Sequence, residues 1–217
     1  MIKCKGCGER FEFNGYNLFH SPECDQAYEQ KKFLEKLPEL YEEAGIPKRF
    51  IDLNTDRDII NFTDIKNPRG LYIWGNVGTG KTVMACSIAK RLIEVRAHVK
   101  FLSSAKFIVE LQSAWRKEGE SVDEILKNIA RTEVLIFDDI GAEGKLTDFV
   151  RQVFYYLINE REQWCLKTIF TSNFSLDRLD GYIDSRISSR IAGMCDIIEI
   201  KSKDRRLIKT VADKKGL

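Results

Sequence analysis

The 217-residue sequence contains no apolar run near the roughly 20 residues that a membrane-spanning helix needs. Its first residues also lack the apolar stretch of a secretory signal, because Cys4, Lys5 and Gly6 interrupt them. An excess of one charge is absent too, since the formal net charge is only +2, which neither favours nor excludes nucleic acid as a partner. These absences exclude a membrane-spanning protein. They predict a cytoplasmic protein with one substantial domain and a small appendage.

A glycine-rich motif lies between an apolar strand pattern, 71–74, and a helix pattern, 83–94. It matches the phosphate-binding pattern G-x-x-x-x-G-K-[ST] and consists of Gly75, Asn76, Val77, Gly78, Thr79, Gly80, Lys81 and Thr82. The glycines let backbone N–H groups point at phosphates, Lys81 reaches the β- and γ-phosphates, and the Thr82 hydroxyl ligates Mg²⁺. A glycine-rich turn that binds nothing is the alternative. The complete motif in this context predicts a site for a nucleoside triphosphate.

Two adjacent carboxylates follow a later apolar strand pattern, 134–137. Strand and helix patterns alternate after the glycine-rich motif, which predicts an α/β fold with a parallel sheet flanked by helices. Asp138 at the end of its strand is expected to contact Mg²⁺, and Asp139 to face the attacking water. The strand pattern 99–102 lies between the two motifs in the chain, an order that fits the additional-strand class of ATPases.

Three more polar residues complete the predicted catalytic set. Asn173 follows the strand pattern 168–171 and is expected to bridge the γ-phosphate and the attacking water; a turn-forming asparagine is the alternative. Arg186 and Arg190 are four residues apart, so they share one face of a helix. Either arginine could act as a finger on a neighbouring subunit's γ-phosphate. The alternative is a solvated basic helix face.

The beginning of the chain has the spacing of a metal site. Cys4-x₂-Cys7 is followed, after twelve residues, by His20-x₃-Cys24. Four such ligands predict structural Zn²⁺, because they leave no open position for catalysis and a short segment cannot bury much apolar surface. Incidental cysteines are the alternative. We predict a zinc module at 1–27, a helical linker at 28–44 that Pro38 breaks or kinks, and the ATPase domain at 45–217.

Five motifs together resemble the DnaC/DnaI helicase-loader family of AAA+ ATPases, over about residues 45–200. They are Ile46-Pro47-x-Arg49-Phe50, the glycine-rich motif, the segment 138–143, the segment 171–174 and Arg186-x₃-Arg190. The resemblance implies an AAA+ P-loop NTPase core, and the few residues after the last strand pattern predict no C-terminal lid domain. It also implies that Phe50 flanks adenine, that Asp139 activates water and that Arg190 is the finger acting in trans, with Arg186 a second candidate.

The resemblance further implies a function. A loader of this family uses ATP, with Mg²⁺, as an assembly and release switch to deliver a hexameric replicative helicase onto single-stranded DNA in a bacterial or phage-infected cell. Hydrolysis would be slow until a homo-oligomer forms, and the zinc module would contact the helicase. Lys106, Arg116 and Lys117 are the predicted DNA contacts. Three alternatives stay open: an IstB-like transposition helper, a small-molecule P-loop kinase, and an adaptor that binds ATP without hydrolysing it.

Overall fold

A computed structural model of the chain describes residues 1–12, 18, 21–53, 62–116, 122–142 and 146–201. Within these ranges no helix combines the length and the apolar character that crossing a membrane requires. The chain divides into two units, Met1–Tyr41 and Glu42–Leu217. Each unit is described by itself below.

The N-terminal unit pairs a very short hairpin with a long helix. Strands β1 (Ile2–Lys3) and β2 (Arg10–Phe11) are antiparallel, and helix α1 spans Pro22–Glu43. Pro22 suits the first position of a helix, where its missing N–H costs nothing. Of the two effects predicted for Pro38, a break is wrong, because α1 continues through this residue. Strong helix formers, mainly Glu, Lys and Leu, surround Pro38 and offset the loss of one backbone hydrogen bond.

The second unit is built on a five-stranded parallel sheet flanked by helices, as predicted. Its strands are β3 (Gly70–Trp74), β4 (Val99–Ser103), β5 (Val134–Asp138), β6 (Lys167–Ser172) and β7 (Cys195–Glu199). Its helices are α2 (Lys81–Glu94), α3 (Ser104–Arg116), α4 (Val122–Ala130), α5 (Asp148–Gln163), α6 (Leu176–Asp180) and α7 (Ser185–Met194). A 3₁₀ turn at Lys48–Phe50 precedes them. Strands buried on both faces explain the continuous apolar runs of the sequence.

The order of the strands is β4-β5-β6-β3-β7, with all neighbours parallel. Strand β6 therefore lies between β3, which leads into the glycine-rich motif, and β5, which ends in the carboxylates. This is the additional-strand arrangement, and the inserted strand is β6. Strand β4, which separates the two motifs in the chain, lies at the edge of the sheet.

Four buried phenylalanines join the strands of the site to their helices. Phe107, Phe137 and Phe154 contact one another with ring centroids 5.5–5.8 Å apart, and Phe170 lies 6.4 Å from Phe137. Stacked and edge-to-face pairs at these separations stabilise a core beyond the burial of apolar area. Since Phe137 and Phe170 belong to β5 and β6, this packing fixes the two strands that carry the polar residues of the site.

A buried arginine holds the opposite end of the same strands. The Arg161 side chain is fully buried, and its guanidinium donates to the carbonyls of Ile129, Ala130, Thr132 and Lys167 and to Thr168 Oγ1. Burial lowers the pKa of Arg161 to about 9, so the group stays charged at neutral pH. Arg161 thus ties the end of α4 to the start of β6, a role that the sequence pattern did not reveal.

The three cysteines outside the N-terminal unit do not behave alike. All three lie singly in apolar or mixed stretches of the sequence, which predicts buried packing residues. Cys86 and Cys195 are buried as expected, and burial raises the pKa of both thiols. Cys165 is exposed, which contradicts the expected burial. It occupies the turn after α5 with a left-handed φ of 49°, and a turn of this kind faces solvent.

Candidate nucleotide site and N-terminal cysteine cluster

The glycine-rich motif, residues 75–82 and hereafter the phosphate loop, connects the end of β3 to the start of α2. Gly75, Gly78 and Gly80 have positive φ angles of 155°, 78° and 102°. A Cβ atom on Gly75 would also come within 2.5 Å of the Ile200 carbonyl oxygen. Only glycine fits such positions without strain. The sequence folds as a loop here because these three residues permit a backbone path that side chains would block.

Lys81 lies at the centre of the phosphate loop. Its side chain is buried, and Nζ donates to the carbonyls of Gly75 and Asn76, both at 2.9 Å, and to Asn173 Oδ1 at 2.8 Å. Asn173 Nδ2 in turn donates to Asp139 Oδ1 at 3.1 Å. A continuous hydrogen-bonded chain therefore joins the lysine of the loop, the end of β6 and the second carboxylate. The structure brings these three predicted residues together.

Asp138 lies beside the Thr82 hydroxyl, which the sequence predicts as a ligand of Mg²⁺. Thr82 Oγ1 donates to Asp138 Oδ2 at 3.3 Å, and Thr171 Oγ1 donates to Asp138 Oδ1 at 2.6 Å. Burial raises the pKa of Asp138, while the hydrogen bonds from Thr171 and Thr82 act in the opposite direction. A hydroxyl and a carboxylate are oxygen ligands of the kind that Mg²⁺ prefers. The donor set fits the predicted ion.

Asp139 occupies a strained backbone conformation. Its φ is 63°, in the left-handed region that non-glycine residues rarely adopt. The Asp139 N–H donates to Thr171 Oγ1 at 2.8 Å, and the Ile140 N–H donates to the Thr171 carbonyl at 2.8 Å. Strain of this kind costs about 1–3 kcal/mol and persists where the surroundings fix it. Here Thr171 fixes it, by contacting both carboxylate residues through one hydroxyl.

Sequence reasoning did not assign a role to Thr171. The only available signal was a hydroxyl on a buried strand two residues before Asn173.

We expect Thr171→Val to lower ATP turnover about tenfold to a hundredfold with little change in ATP affinity. The loss of one hydroxyl leaves the Asp139 N–H unpaired, at a cost of about 1–3 kcal/mol. Steady-state hydrolysis and equilibrium binding separate the two effects. Thr171→Ser should restore turnover, and an unchanged rate in the valine variant would contradict this role.

The two candidate finger arginines lie on α7, around one tyrosine ring. Arg190 pairs with the Glu162 carboxylate and donates to the Tyr155 hydroxyl at 3.0 Å. Arg186 pairs with Asp184 at 2.9 Å, and its hydrogen bonds lower the pKa of Asp184 to about 2. Both guanidinium carbons lie about 5 Å from the Tyr155 ring centroid, at 5.0 and 5.1 Å. The predicted shared face exists, with Arg186 68% exposed and Arg190 30% exposed in their side chains.

The remaining predicted residues are only partly described. Phe50 ends the 3₁₀ turn and is half-buried, with the Arg49 guanidinium 4.5 Å from its ring centroid. Lys106 is exposed on α3 and lies 3.7 Å from Glu110. Lys117, the side chain of Arg116 and the whole of His20 lie outside the described residues.

The N-terminal cysteine cluster consists of Cys4, Cys7 and Cys24, whose sulfur atoms all lie within 4.8 Å of one another. The Gly6 N–H donates to Cys4 Sγ at 3.3 Å. Zinc–sulfur bonds of about 2.3 Å place tetrahedral sulfur ligands about 3.8 Å apart, so the cluster needs little adjustment to hold Zn²⁺. Three of the four predicted ligands therefore meet in one place and fit the ion.

The sheet with its inserted strand, the phosphate loop, the paired carboxylates and Asn173 define a P-loop nucleoside triphosphatase of the AAA+ class. The family model of the IstB-like ATP binding protein matches residues 30–212. The chain belongs to this family and carries an IstB/DnaC-type AAA+ domain. At the level of the family, the prediction of an ATP-binding ATPase core is confirmed.

Individual relatives agree with the predicted resemblance to helicase loaders. The replicative helicase loader DnaI of Bacillus subtilis is 30% identical over 159 residues, which cover 67% of this chain and 50% of DnaI. The replicative helicase loader DnaC of Escherichia coli K12 is 20% identical over 117 residues, or 54% of this chain and 47% of DnaC. The chain thus spans about half the length of these curated relatives.

Two solved structures show the same fold. The crystal structure of the DnaC helicase loader has a TM-score of 0.59 and 27% identity, and the match covers 67% of this chain and 85% of that one. The crystal structure of DnaI has a TM-score of 0.58 and 29% identity, and the match covers 74% of this chain and 93% of that one. The predicted similarity to the DnaC/DnaI family is confirmed.

Proposed function

We propose that this protein is an ATP-dependent loader that delivers a replicative ring helicase onto single-stranded DNA during DNA replication. The similarity to the loader DnaI, across 159 residues, is the observation that carries the proposal. The connected site supports its ATP-dependent part, because the residues that bind phosphate and the residues that act on water share one hydrogen-bonded chain.

The geometry suggests how binding of the nucleotide is sensed. In the structure, Lys81 donates to two loop carbonyls and to Asn173 Oδ1. A triphosphate in the loop would attract the Lys81 ammonium, since a charge-assisted bond to a phosphate oxygen is stronger than a bond to a neutral carbonyl. Asn173 Oδ1 would then be released and could orient the attacking water. In this way a bound nucleotide would assemble the hydrolytic site.

The carboxylates complete the proposed reaction. Asp139, held by Thr171 and Asn173, would accept a proton from water as the γ-phosphate is attacked. Thr82 and Asp138 would hold Mg²⁺, which supplies positive charge to the phosphate oxygens when it is bound. The finger arginine would come from a neighbouring copy, with Arg190 the first candidate and Arg186 the second. Hydrolysis would therefore be slow in the monomer and faster in a homo-oligomer.

Binding of the helicase and binding of DNA would use surfaces outside the nucleotide site. The module at 1–27, with the cysteine cluster and His20 around Zn²⁺, would dock on the helicase, and residues 28–44 would link it to the ATPase domain at 45–217. Lys106, Arg116 and Lys117 would contact DNA phosphates, which are recognised without regard to base sequence. The whole assembly would act in the cytoplasm of a bacterial or phage-infected cell.

A capture experiment tests the proposal. Full-length protein with ATP is used as bait in a lysate of its own host, and captured proteins are identified by mass spectrometry. We expect the replicative ring helicase to be captured. Cys24→Ser should lose both bound zinc and helicase capture, yet keep ATP hydrolysis, because the cluster lies in the other unit. Cys165→Ser, which changes an exposed cysteine outside the cluster, is the matched control. Failure of the intact protein to capture a helicase would contradict the proposal.

A second candidate function follows from the description of the family model, which names an IstB-like protein. A transposition helper would use the same ATP site and would bind DNA, but its partner would be a transposase. Capture of a transposase in place of a helicase would favour it. A small-molecule kinase would instead need an acceptor substrate for phosphate release, whereas the loader releases phosphate from ATP and water alone.

A further inference from the structure

A second lysine of α2 is buried and has no place in the site described so far. Lys90 is 7% exposed, and its Nζ donates to the carbonyls of Ile51 and Leu53, each at 2.6 Å. Lysine is rarely buried unless its ammonium is satisfied by hydrogen bonds. Both carbonyls belong to a segment 37 and 39 residues earlier in the chain. Lys90 therefore holds that segment against the helix of the phosphate loop.

The segment in question, residues 46–53, is the one that contains Phe50. Within it the Phe50 N–H donates to the Pro47 carbonyl at 2.8 Å, and the Ile51 N–H donates to the Lys48 carbonyl at 3.1 Å. These bonds form the short 3₁₀ turn but do not attach it to the rest of the domain. Two backbone attachments lie outside the turn, one on each side of Phe50.

The first attachment lies before the turn and the second lies after it. The Ala44 carbonyl accepts from the Phe101 N–H of β4 at 2.6 Å, and Ile46 is buried. Beyond the turn, Lys90 binds the two carbonyls. The segment that carries Phe50 is therefore held at one end by strand β4 and at the other end by helix α2. Removal of the Lys90 ammonium would release the side of the turn that faces α2.

Helix α2 connects this anchor to the phosphate loop. It begins at Lys81, and Lys90 follows nine residues later, about 13.5 Å along the axis at 1.5 Å per residue. A continuous helix of this length is stiff. One element thus carries the lysine for the phosphates at its beginning and the lysine that fixes the Phe50 segment near its end.

We propose that Lys90 is a positioning residue for the nucleoside. It fixes the distance between the Phe50 segment and the phosphate loop, and so contributes to affinity for the base and ribose but not for the triphosphate. The inference rests on the proposed ATP site and on Phe50 flanking the base. It adds a residue that acts on the nucleoside through the backbone carbonyls of residues 51 and 53.

Binding of two ligands distinguishes this role from general support of the fold. Lys90→Met keeps a long apolar stem and removes the three donors. Isothermal titration calorimetry measures the affinity for MgATP and for magnesium tripolyphosphate, which lacks the nucleoside. We expect the affinity for MgATP to fall about tenfold or more, since one charged hydrogen bond is worth about 1.5–3 kcal/mol and 1.4 kcal/mol is a factor of ten. The affinity for tripolyphosphate should stay unchanged.

Control variants make the result specific. Lys127→Met changes an exposed lysine on α4 and should leave both affinities unchanged. Lys90→Arg keeps the donors and should restore most of the ATP affinity. In a Phe50→Ala background, Lys90→Met should cost little more, because the residue that it positions is already gone. If Lys90→Met does not fold, as judged by its melting transition, Lys90→Leu, which also lacks the donors, serves for the same comparison.

Two results would overturn the inference. Equal losses for ATP and tripolyphosphate would show that Lys90 supports the phosphate loop rather than the nucleoside, and unchanged affinity for both would show that it positions neither. Failure of the unmodified protein to bind either ligand is a different result. It would contradict the proposed ATP site itself.

Discussion

Lys81→Met is expected to lower the affinity for MgATP about a hundredfold or more. The Lys81 ammonium lies inside the phosphate loop, already bonded to two of its carbonyls, and methionine keeps the stem without the charge. Loss of one partner of a buried, hydrogen-bonded charge pair costs about 2–5 kcal/mol, and 1.4 kcal/mol is a factor of ten. Titration of the protein with MgATP measures the loss directly.

Thermal unfolding gives an independent check of the same variant. A ligand that binds only the folded state stabilises it by about 2.7 kcal/mol at a hundred times its dissociation constant, so MgATP should raise the melting temperature of the unmodified protein. The same concentration should leave Lys81→Met almost unshifted. Lys127→Met, on the exposed face of α4, should respond like the unmodified protein. Unchanged ATP affinity in Lys81→Met would refute the site.

Arg190→Ala is expected to lose about a thousandfold in assembly-stimulated hydrolysis while it keeps ATP binding. An arginine that stabilises the charge of the transferred phosphoryl group from a neighbouring subunit is worth about 10³–10⁵ in rate. Arg190 lies on α7, whereas the phosphate loop lies between β3 and α2. Glu162 and Tyr155 hold its guanidinium. Its removal should therefore leave nucleotide affinity intact. Hydrolysis measured over a range of protein concentrations tests this expectation.

A mixing experiment shows whether the arginine acts in trans. Asp139→Asn lacks the carboxylate that activates water but keeps its finger, whereas Arg190→Ala keeps the carboxylate and lacks the finger. A mixture of the two contains interfaces with one intact site, so activity should reappear. Chemical cross-linking must first show that the variants assemble with each other. Absence of rescue in a proven mixed assembly would contradict action in trans, and Arg186→Ala in the same test decides between the two arginines.

The parts of the site that the sequence could predict are those with a local cause. The phosphate loop needs glycines, a lysine and a hydroxyl in one short stretch, so a few consecutive residues are enough to predict it. Asp138 and Asn173 each follow an apolar strand, and parallel strands bring their carboxyl ends to one edge. The helical spacing of Arg186 and Arg190 placed them on one face. The predicted sheet followed from the same regularities, whereas the AAA+ core was implied by the resemblance to helicase loaders.

The contacts that were missed have causes far away in the chain, whereas the misses at Pro38 and Cys165 are local. Thr171 contacts Asp138 and Asp139 because β6 lies beside β5 in the sheet. The order of the strands, which the sequence does not show, sets that pairing. Arg161 and Lys90 bind backbone carbonyls, which every residue has and no pattern marks. Pro38 stays inside α1 because its neighbours favour a helix, against the usual effect of proline. Cys165 lies in the turn after α5 and is exposed, although cysteine is among the residue types most often buried.

The central claim, that ATP binding drives delivery of a ring helicase, is tested most directly on a closed circle of single-stranded DNA. A circle has no end to thread, so a preformed ring must be opened to enter it. The host replicative helicase, the circle, this protein and MgATP are mixed, and helicase bound to DNA is separated from free helicase by gel filtration. We predict that the helicase is retained on the circle with the unmodified protein and not with Lys81→Met. Equal retention with both proteins, or none with either, would contradict the account.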